Sequence, residues 1–498
     1  MPFDSPSLDY HAFAPEIVLV ATLVVLLFVD LVFEERARWA TSTVAGVGLL
    51  ASVVPVLTLA VDGADRGLFD GAYVVDNFAL VLKALFLAAG YVTVLISTDY
   101  IGDGDYYEGE YYFMLVSSLL GMTLMASSRD LISIFVSLEL LSIPAYLLAG
   151  WRKRDLRGNE ASLKYYLLGV FASAVMLYGM SLVFGVTGST VLVEIGDVLA
   201  GGIGAAPLVT VGIVFIVVGF AFKVSAVPFH AWAPDTYEGA PTPITAFLSV
   251  ASKAAGFVAL VQLVFIAFLG RDDVWAPMFW LLAAVTMTVG NLIALRQTNV
   301  VRLLAYSSVA QAGFMLAPFA VAADIPVDRG GVAAATGAVI TYLLIYAAMN
   351  LGAFAVVMAV ARRTRSAELG SLAGLFSYAP GLAVLMSVFF FALAGIPPLA
   401  GWYAKFVVFK VLLDAGNAAA VTLGVIAAVN SVIALFYYAS VARHMLLDPA
   451  AGTDTSRVRV PASLGAALGL CALATLAFGV LPGLIAELGD VALFGLLP

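Results

Sequence analysis

The sequence predicts an all-α polytopic membrane protein of about fourteen transmembrane helices, with two inverted five-helix repeats and discontinuous seventh and twelfth helices. Three observations carry that prediction. Hydrophobic residues make up 62% of the 498 residues and charged ones 11%, with a mean hydropathy of +1.04, which does not describe a water-soluble domain. The apolar residues fall into runs of about 20, each enough to cross roughly 30 Å of hydrocarbon as a helix. Two of these runs are interrupted by proline near an ionisable residue, and broken helices at corresponding places in two halves point to a transport site.

The first three runs, near 14–33, 40–61 and 75–97, form an N-terminal three-helix segment over 1–110. The first is expected to be retained as a helix, since Asp4 and Asp9 precede it, no basic residue does, and no small-x-small site follows. Runs near 111–127, 131–150, 162–186, 208–227 and 243–269 form a first five-helix repeat over 111–270. A second repeat, over 271–445, holds runs near 275–295, 301–322, 333–360, 376–398 with a continuation to about 412, and 417–442. One more, near 461–482, is the C-terminal helix of 446–498.

The seventh run carries Lys223 and stops at VPFHAW, 227–232, while the twelfth reaches IPPLAGW, 396–402, just before Lys405. Proline removes a backbone donor and frees a carbonyl, which hydrocarbon tolerates only where protein or water satisfies what is left. Pro228 and Pro397 are 169 residues apart, and KYYLL at 164–168 echoes TYLLI at 341–345 at an offset of 177. The offsets suggest a duplicated five-helix unit, inverted because five spans reverse the direction of the chain.

Counting Lys and Arg in alternate loops sets the orientation. With the N-terminus outside, the inner loops hold fourteen of these residues, among them Arg36, Lys153, Arg302 and Arg457, and the outer loops hold only Arg66, Arg129, Arg271 and Arg329. Both termini are therefore expected outside. The net charge of −9 comes from loops such as DYIGDGDYYEGEYY, so it describes surfaces and gives no support to nucleic-acid binding. One cysteine, Cys471, and three scattered histidines, at 11, 230 and 444, leave no redox pair, iron–sulfur site or metal-ligand spacing. GGIGAAP at 201–207 lies in a loop with no strand before it, which does not fit a dinucleotide fingerprint.

What remains is a set of charges inside the apolar runs, where a charge is expensive and needs a reason. Lysine occurs only seven times, at 83, 153, 164, 223, 253, 405 and 410, whereas the seventeen arginines nearly all lie between the runs. The cation able to give up a proton is thus kept inside and the one that cannot is kept outside, as a proton path would be written. Lys223, Lys253 and Lys405 have apolar or small neighbours and no carboxylate within helical reach. Glu139, in IFVSLELLSIPAYLL, is the intramembrane carboxylate available, so a cross-helix Glu139–Lys223 ion pair is expected. Making and breaking it would load and unload a proton. Lys83 fits a buried salt bridge as well as a role in transport. Lys164 either joins the path or snorkels to the interface, as Lys410 is expected to do. His230, seven residues after Lys223, would share its face on an unbroken helix and otherwise makes a loop hydrogen bond.

These residues lie in stretches that together resemble one family. FVSLELLSIPAYLLAGWRKRD, EASLKYYLLGVFASAVMLYG, FKVSAVPFHAWAPDTYEGAPTPITAFLSVASKAAGF, GNLIALRQTNVVRLLAYSSVAQAGF and GIPPLAGWYAKF resemble the antiporter-like membrane subunits of respiratory complex I, over roughly residues 70–445. The segment around PDTYEGAPTP is specific, whereas RLLAYSS is shared across the wider antiporter group. The resemblance implies fourteen helices with two inverted repeats. It implies that Glu139 tunes a lysine partner, that Lys223 serves an input half-channel, that Lys253 lies at the centre of the hydrophilic axis and that Lys405 lies on the output side. Lys164 and His230 also fall on family positions. Gln311, in SSVAQAGF, departs from the histidine often found there, which implies an uncharged relay or a structural role.

The resemblance further implies proton translocation in a bacterial or archaeal plasma membrane. This chain would hold no cofactor. Flavin, iron–sulfur clusters and quinone would belong to partner subunits. Its partners would be neighbouring antiporter-like and small membrane subunits and a peripheral redox arm. A subunit of a multi-subunit Na⁺/H⁺ antiporter, or of a related membrane-bound hydrogenase or dehydrogenase, shares most of these features and is the alternative.

Overall fold

The computed structural model describes residues 8–32, 38–63, 65–102, 108–152, 154–202, 206–450 and 458–491. Arg36, Lys153 and Arg457, counted above in the inner loops, lie outside the described residues, as does 103–107 of the acidic loop. Eleven helices among the described residues are long and apolar enough to cross a membrane, and three shorter apolar helices accompany them.

The N-terminal segment is α1 (Ala14–Val32), α2 (Arg38–Asp62) and α3 (Asn77–Gly102), with a hairpin of β1 (Arg66–Leu68) and β2 (Tyr73–Val75) between the last two. The hairpin turn places Phe69 and Asp70 at φ +53 and Gly71 at φ +86. Asp9 holds the hairpin, accepting from the backbone N–H of His11 and Ala12 and pairing with Arg66 at 2.9 Å. The Ala12 N–H and the Arg66 guanidinium together keep the Asp9 carboxyl below its usual range. Inside the segment Lys83 pairs with Glu16 at 2.9 Å, which gives the first of the two readings of Lys83 its partner.

Next come α4 (Glu108–Ser127), α5 (Leu131–Ala149) and α6 (Leu156–Thr187). The sixth run begins six residues earlier than expected, because Asp155 caps it by accepting from Arg157 N at 3.0 Å. A surface helix, α7 (Leu192–Ala200), was not anticipated. Tyr73 bridges Ser128 and Asp130 bridges Val191, so the hairpin, the α4–α5 turn and the start of α7 share one end of the bundle.

The seventh run is broken as expected, into α8 (Pro207–Lys223) and α9 (Trp232–Gly239). Its helix stops four residues short of the predicted end. Pro228 has no N–H for the carbonyl of Val224, and α8 closes instead in a Schellman motif: Ser225 N donates to Phe222 O and Ala226 N to Ala221 O. The residue after the cap is Ser225, at φ +62, a position that favours glycine. Ser225→Gly should raise the thermal unfolding midpoint in detergent, by the roughly 1 kcal/mol that a left-handed non-glycine residue costs. An unchanged or lower midpoint would contradict this.

The eighth span is segmented: α10 (Thr242–Phe247), a π-helical Leu248–Ser252, α11 (Lys253–Gln262) and a π-helical Leu263–Ala267. After it come α12 (Asp272–Ala294), α13 (Val300–Leu316), α14 (Gly331–Thr364) and a single turn, α15 (Leu375–Tyr378). The twelfth run is broken into α16 (Pro380–Ala394) and α17 (Gly401–Ala415), and α18 (Ala418–Leu447), α19 (Ala462–Val480) and α20 (Gly483–Val491) complete the chain. α16 ends in the same motif as α8, with Gly395 N on Ala392 O, Ile396 N on Phe391 O and Gly395 at φ +93. Ser225 and Gly395 are 170 apart, and so are Trp232 and Trp402 just beyond each break. Asn299 bridges Glu368 and Gly374 N donates to His444 O, which gathers these later turns at one end.

Candidate functional site

Lys223 is the last residue of α8, set at the end of a helix by the break that follows. It is buried, its ammonium donating to Ser142 Oγ at 2.8 Å and approaching the Tyr165 hydroxyl at 3.5 Å. Tyr165 stacks on Trp232 at 4.5 Å, and Trp232 Nε1 donates to Phe222 O at 2.9 Å, so the aromatic wall is tied to the break itself.

The expected Glu139–Lys223 ion pair is not formed. No carboxylate oxygen of Glu139 lies within 4.0 Å of Lys223 Nζ; Ser142, one turn along α5, takes the ammonium instead. Glu139 is half-buried, and its Oε1 is enclosed without a hydrogen-bond partner. Val136 and Ile143, a turn to either side, are 55% and 53% exposed, so Glu139 borders an open apolar face.

Lys253 opens α11 directly after a π-helical turn, a feature that widens a helix and re-aims side chains. Its ammonium reaches the carbonyl of Ser308 at 2.7 Å and Ser308 Oγ at 2.5 Å, and Tyr346 donates to the same hydroxyl at 2.9 Å. The stem of Lys223 lies against the same helix: a Cβ on Gly256 would come within 3.2 Å of Lys223 Cγ.

Lys405 lies beyond the second break, on α17, and the geometry there follows from the chemistry of proline. Pro397 and Pro398 stand where N–H donors would serve the carbonyls of Leu393 and Ala394. Those two carbonyls are taken by side chains: Gln311 Nε2 at 3.1 Å and Lys405 Nζ at 2.7 Å. Lys405 also sits 4.8 Å above the Phe314 ring, and Tyr342 donates to Gln311 Oε1. Gly395 is doubly constrained, since a Cβ there would lie 2.7 Å from Lys405 Cδ at a φ of +93. Gly395→Ala should therefore push Lys405 off Ala394 O, lowering both stability and proton uptake by the purified complex in liposomes. Wild-type uptake would show that the contact is dispensable.

Lys164 is placed elsewhere. It is 43% exposed and pairs with Glu160 at 2.6 Å and Asp235 at 2.8 Å. Asp235 is shared with Arg302 at 3.0 Å, which also holds Glu238 at 2.8 Å. These groups line a cleft of about 210 Å³, at the opposite end of α5 and α6 from the hairpin. His230 lies half-buried in the first break, its Nδ1 unbonded and its ring edge-on to Tyr306 at 6.4 Å. It shares no continuous helix face with Lys223. Lys410 is 59% exposed beside Asp414.

Sequence reasoning missed Ser142, Tyr165, Ser308 and the Asp235–Arg302 pair as partners. Ser142 alone had a local signal, three residues after Glu139 and so on its side of the helix; the others meet their lysines only across helices. Among the described residues no group of three or more His, Cys, Asp or Glu could hold a metal.

The family described as NADH:quinone oxidoreductase/Mrp antiporter, TM, matches residues 128–431. The chain is 37% identical to NADH-quinone oxidoreductase subunit N of Trichlorobacter lovleyi, covering 98% of this chain and 97% of that one. In structure it is similar to a chain of respiratory complex I from Thermus thermophilus, at a TM-score of 0.79 and 32% identity, over 95% of this chain and 98% of that one. It is also similar to a chain of the Mrp complex from Dietzia, at a TM-score of 0.84 but 21% identity, over 98% of each, a likeness of fold alone.

Proposed function

The chain belongs to the NADH:quinone oxidoreductase/Mrp antiporter family of membrane proteins, and from that premise we propose that it is a proton-translocating, N-type subunit of an NADH–quinone oxidoreductase. The observation that carries the proposal is the placement of three buried lysines, Lys223, Lys253 and Lys405, each held by neutral oxygen acceptors and none by a carboxylate. A lysine locked to a carboxylate keeps its proton. One held by hydroxyls and carbonyls can give it up and take another.

In this reading protons enter at the Lys164–Asp235 cleft, reach Lys223 near His230, pass by way of water to Lys253, and leave beyond Lys405. Glu139 biases Lys223 through its field. Gln311 and Tyr342 form an uncharged link between α13 and the second break. Residues 111–270 and 271–445 act as two inverted units, and the matching caps at Ser225 and Gly395 support that division. Flavin, iron–sulfur clusters and quinone belong to partner subunits. The membrane is a bacterial or archaeal plasma membrane with both termini outside, as the basic loops suggest.

Purification of the tagged chain from native membranes in mild detergent, with an assay of NADH oxidation by quinone, tests this reading. Flavin and iron–sulfur subunits should accompany it with that activity. Recovery with small membrane proteins alone, and no redox activity, would favour a cation/proton antiporter.

A further inference from the structure

Among the buried charge pairs that the proton path described above leaves unused is one inside the N-terminal segment. Glu16 on α1 is 4% exposed and Lys83 on α3 is 0% exposed, with Nζ 2.9 Å from Oε1. Lys83 also donates to the Tyr73 hydroxyl at 2.9 Å, and Phe13 stacks on the Tyr73 ring at 4.3 Å, so these two rings stand on the hairpin side of the pair. Two buried ions inside apolar helices cost several kcal/mol of desolvation each, and such residues in a membrane mark sites of ion or proton handling. The geometry is also incomplete for a purely structural staple. Both Glu16 carboxylate oxygens are enclosed and accept no well-directed hydrogen bond, Oε1 meeting Lys83 only as an ion pair and Oε2 meeting no partner, and Ser127 Oγ at the end of α4 makes no hydrogen bond either.

The surroundings join this pocket to the rest of the bundle. Ser128, bridged to Tyr73, has its Oγ 3.4 Å from Ser137 Oγ on α5, two residues before Glu139. Arg129 pairs with Asp76 at 2.8 Å and donates to Ala126 O. Gln262, on the helix of Lys253, donates to that same carbonyl at 3.0 Å. The pair therefore lies at the end of the bundle opposite the Lys164–Asp235 cleft, and the end of α4, bridged to Tyr73, meets the helices that carry Glu139 and Lys253.

We propose that Glu16, held by Lys83 and Tyr73, is a second proton-exchange site, serving the first half of the molecule on the hairpin side and separate from the Lys405 outlet. Lys83 remains an ammonium bound to Oε1. The free Oε2 of Glu16 takes one proton arriving from the Ser127–Ser128 side, which converts the carboxylate to the neutral acid and breaks the charge pair. The acid then releases that proton towards the hairpin, past Phe13 and Tyr73, and the pair re-forms. This inference rests on the proton-translocating reading above.

The test uses the purified complex in liposomes, with proton uptake per electron measured alongside NADH oxidation for Glu16→Gln, the double variant E16L/K83M and Lys223→Ala. In the double variant no charge is left unpaired, so its core is at least as easy to bury as that of the native protein. The expected result is assembly of the double variant and a loss of proton uptake per electron comparable to that in Lys223→Ala, with Glu16→Gln showing the same loss wherever it assembles. Wild-type uptake in the Glu16 variants, with a loss in Lys223→Ala, overturns this inference alone. Wild-type uptake in all three overturns the translocation reading as well. Failure of both Glu16 variants to assemble makes the pair a fold-holding contact and likewise overturns the inference.

Discussion

Lys223→Ala is expected to slow proton transfer through this chain by about 100-fold or more, the low end of what losing a positioned proton carrier costs, and so to lower proton uptake per electron in the reconstituted complex while slowing coupled NADH oxidation to a smaller extent. Lys223 ends α8 against Ser142 Oγ and beside Tyr165. Lys223→Arg separates charge from exchange: it keeps a cation but cannot release the proton, so it should fail nearly as badly. Because Glu139 makes no ion pair with Lys223, Glu139→Gln should cost less than Lys223→Ala. Direct Coulomb contact would have made the two comparable. Normal proton uptake per electron in Lys223→Ala would remove the residue from the path.

The second large effect is at Lys405, where two losses can be told apart. The ammonium satisfies the carbonyl of Ala394, which has no backbone donor because Pro398 stands in its place. Lys405→Ala should therefore cost about 1–3 kcal/mol for an unmet buried acceptor, seen as a lower unfolding midpoint, and should also stop proton exit. Lys405→Gln restores a donor without an exchangeable charge. It should recover most of the midpoint and none of the uptake. If Lys405→Gln pumped normally, the residue would be a cap for the broken helix and nothing more.

Much of this was legible in the residues. Polarity and run length place the helices to within a few residues, because a span is a local property of about 20 consecutive side chains. The two breaks were readable for the same reason: proline acts on its own neighbours. The family resemblance was carried by motifs such as PDTYEGAPTP and SLELLS. Some local features still escaped, among them α7, whose nine residues are too few for a hydropathy run, and the Asp155 cap that starts α6 early.

The sequence by itself determined the fold class, the places where two helices break, and the burial of Lys223, Lys253 and Lys405, though not that of Glu16, Asp76 or Arg129, since hydropathy and the missing proline N–H are encoded within a few residues. Only the tertiary structure decided the partners. It gave Lys223 a serine rather than Glu139, Lys253 the oxygens of Ser308, Lys405 the carbonyl of Ala394, and Lys83 the carboxylate of Glu16. Each of these contacts joins groups on different helices or across a break in one. Which oxygen a buried lysine reaches therefore depends on how the helices pack and turn against one another, and no local pattern in the chain records that.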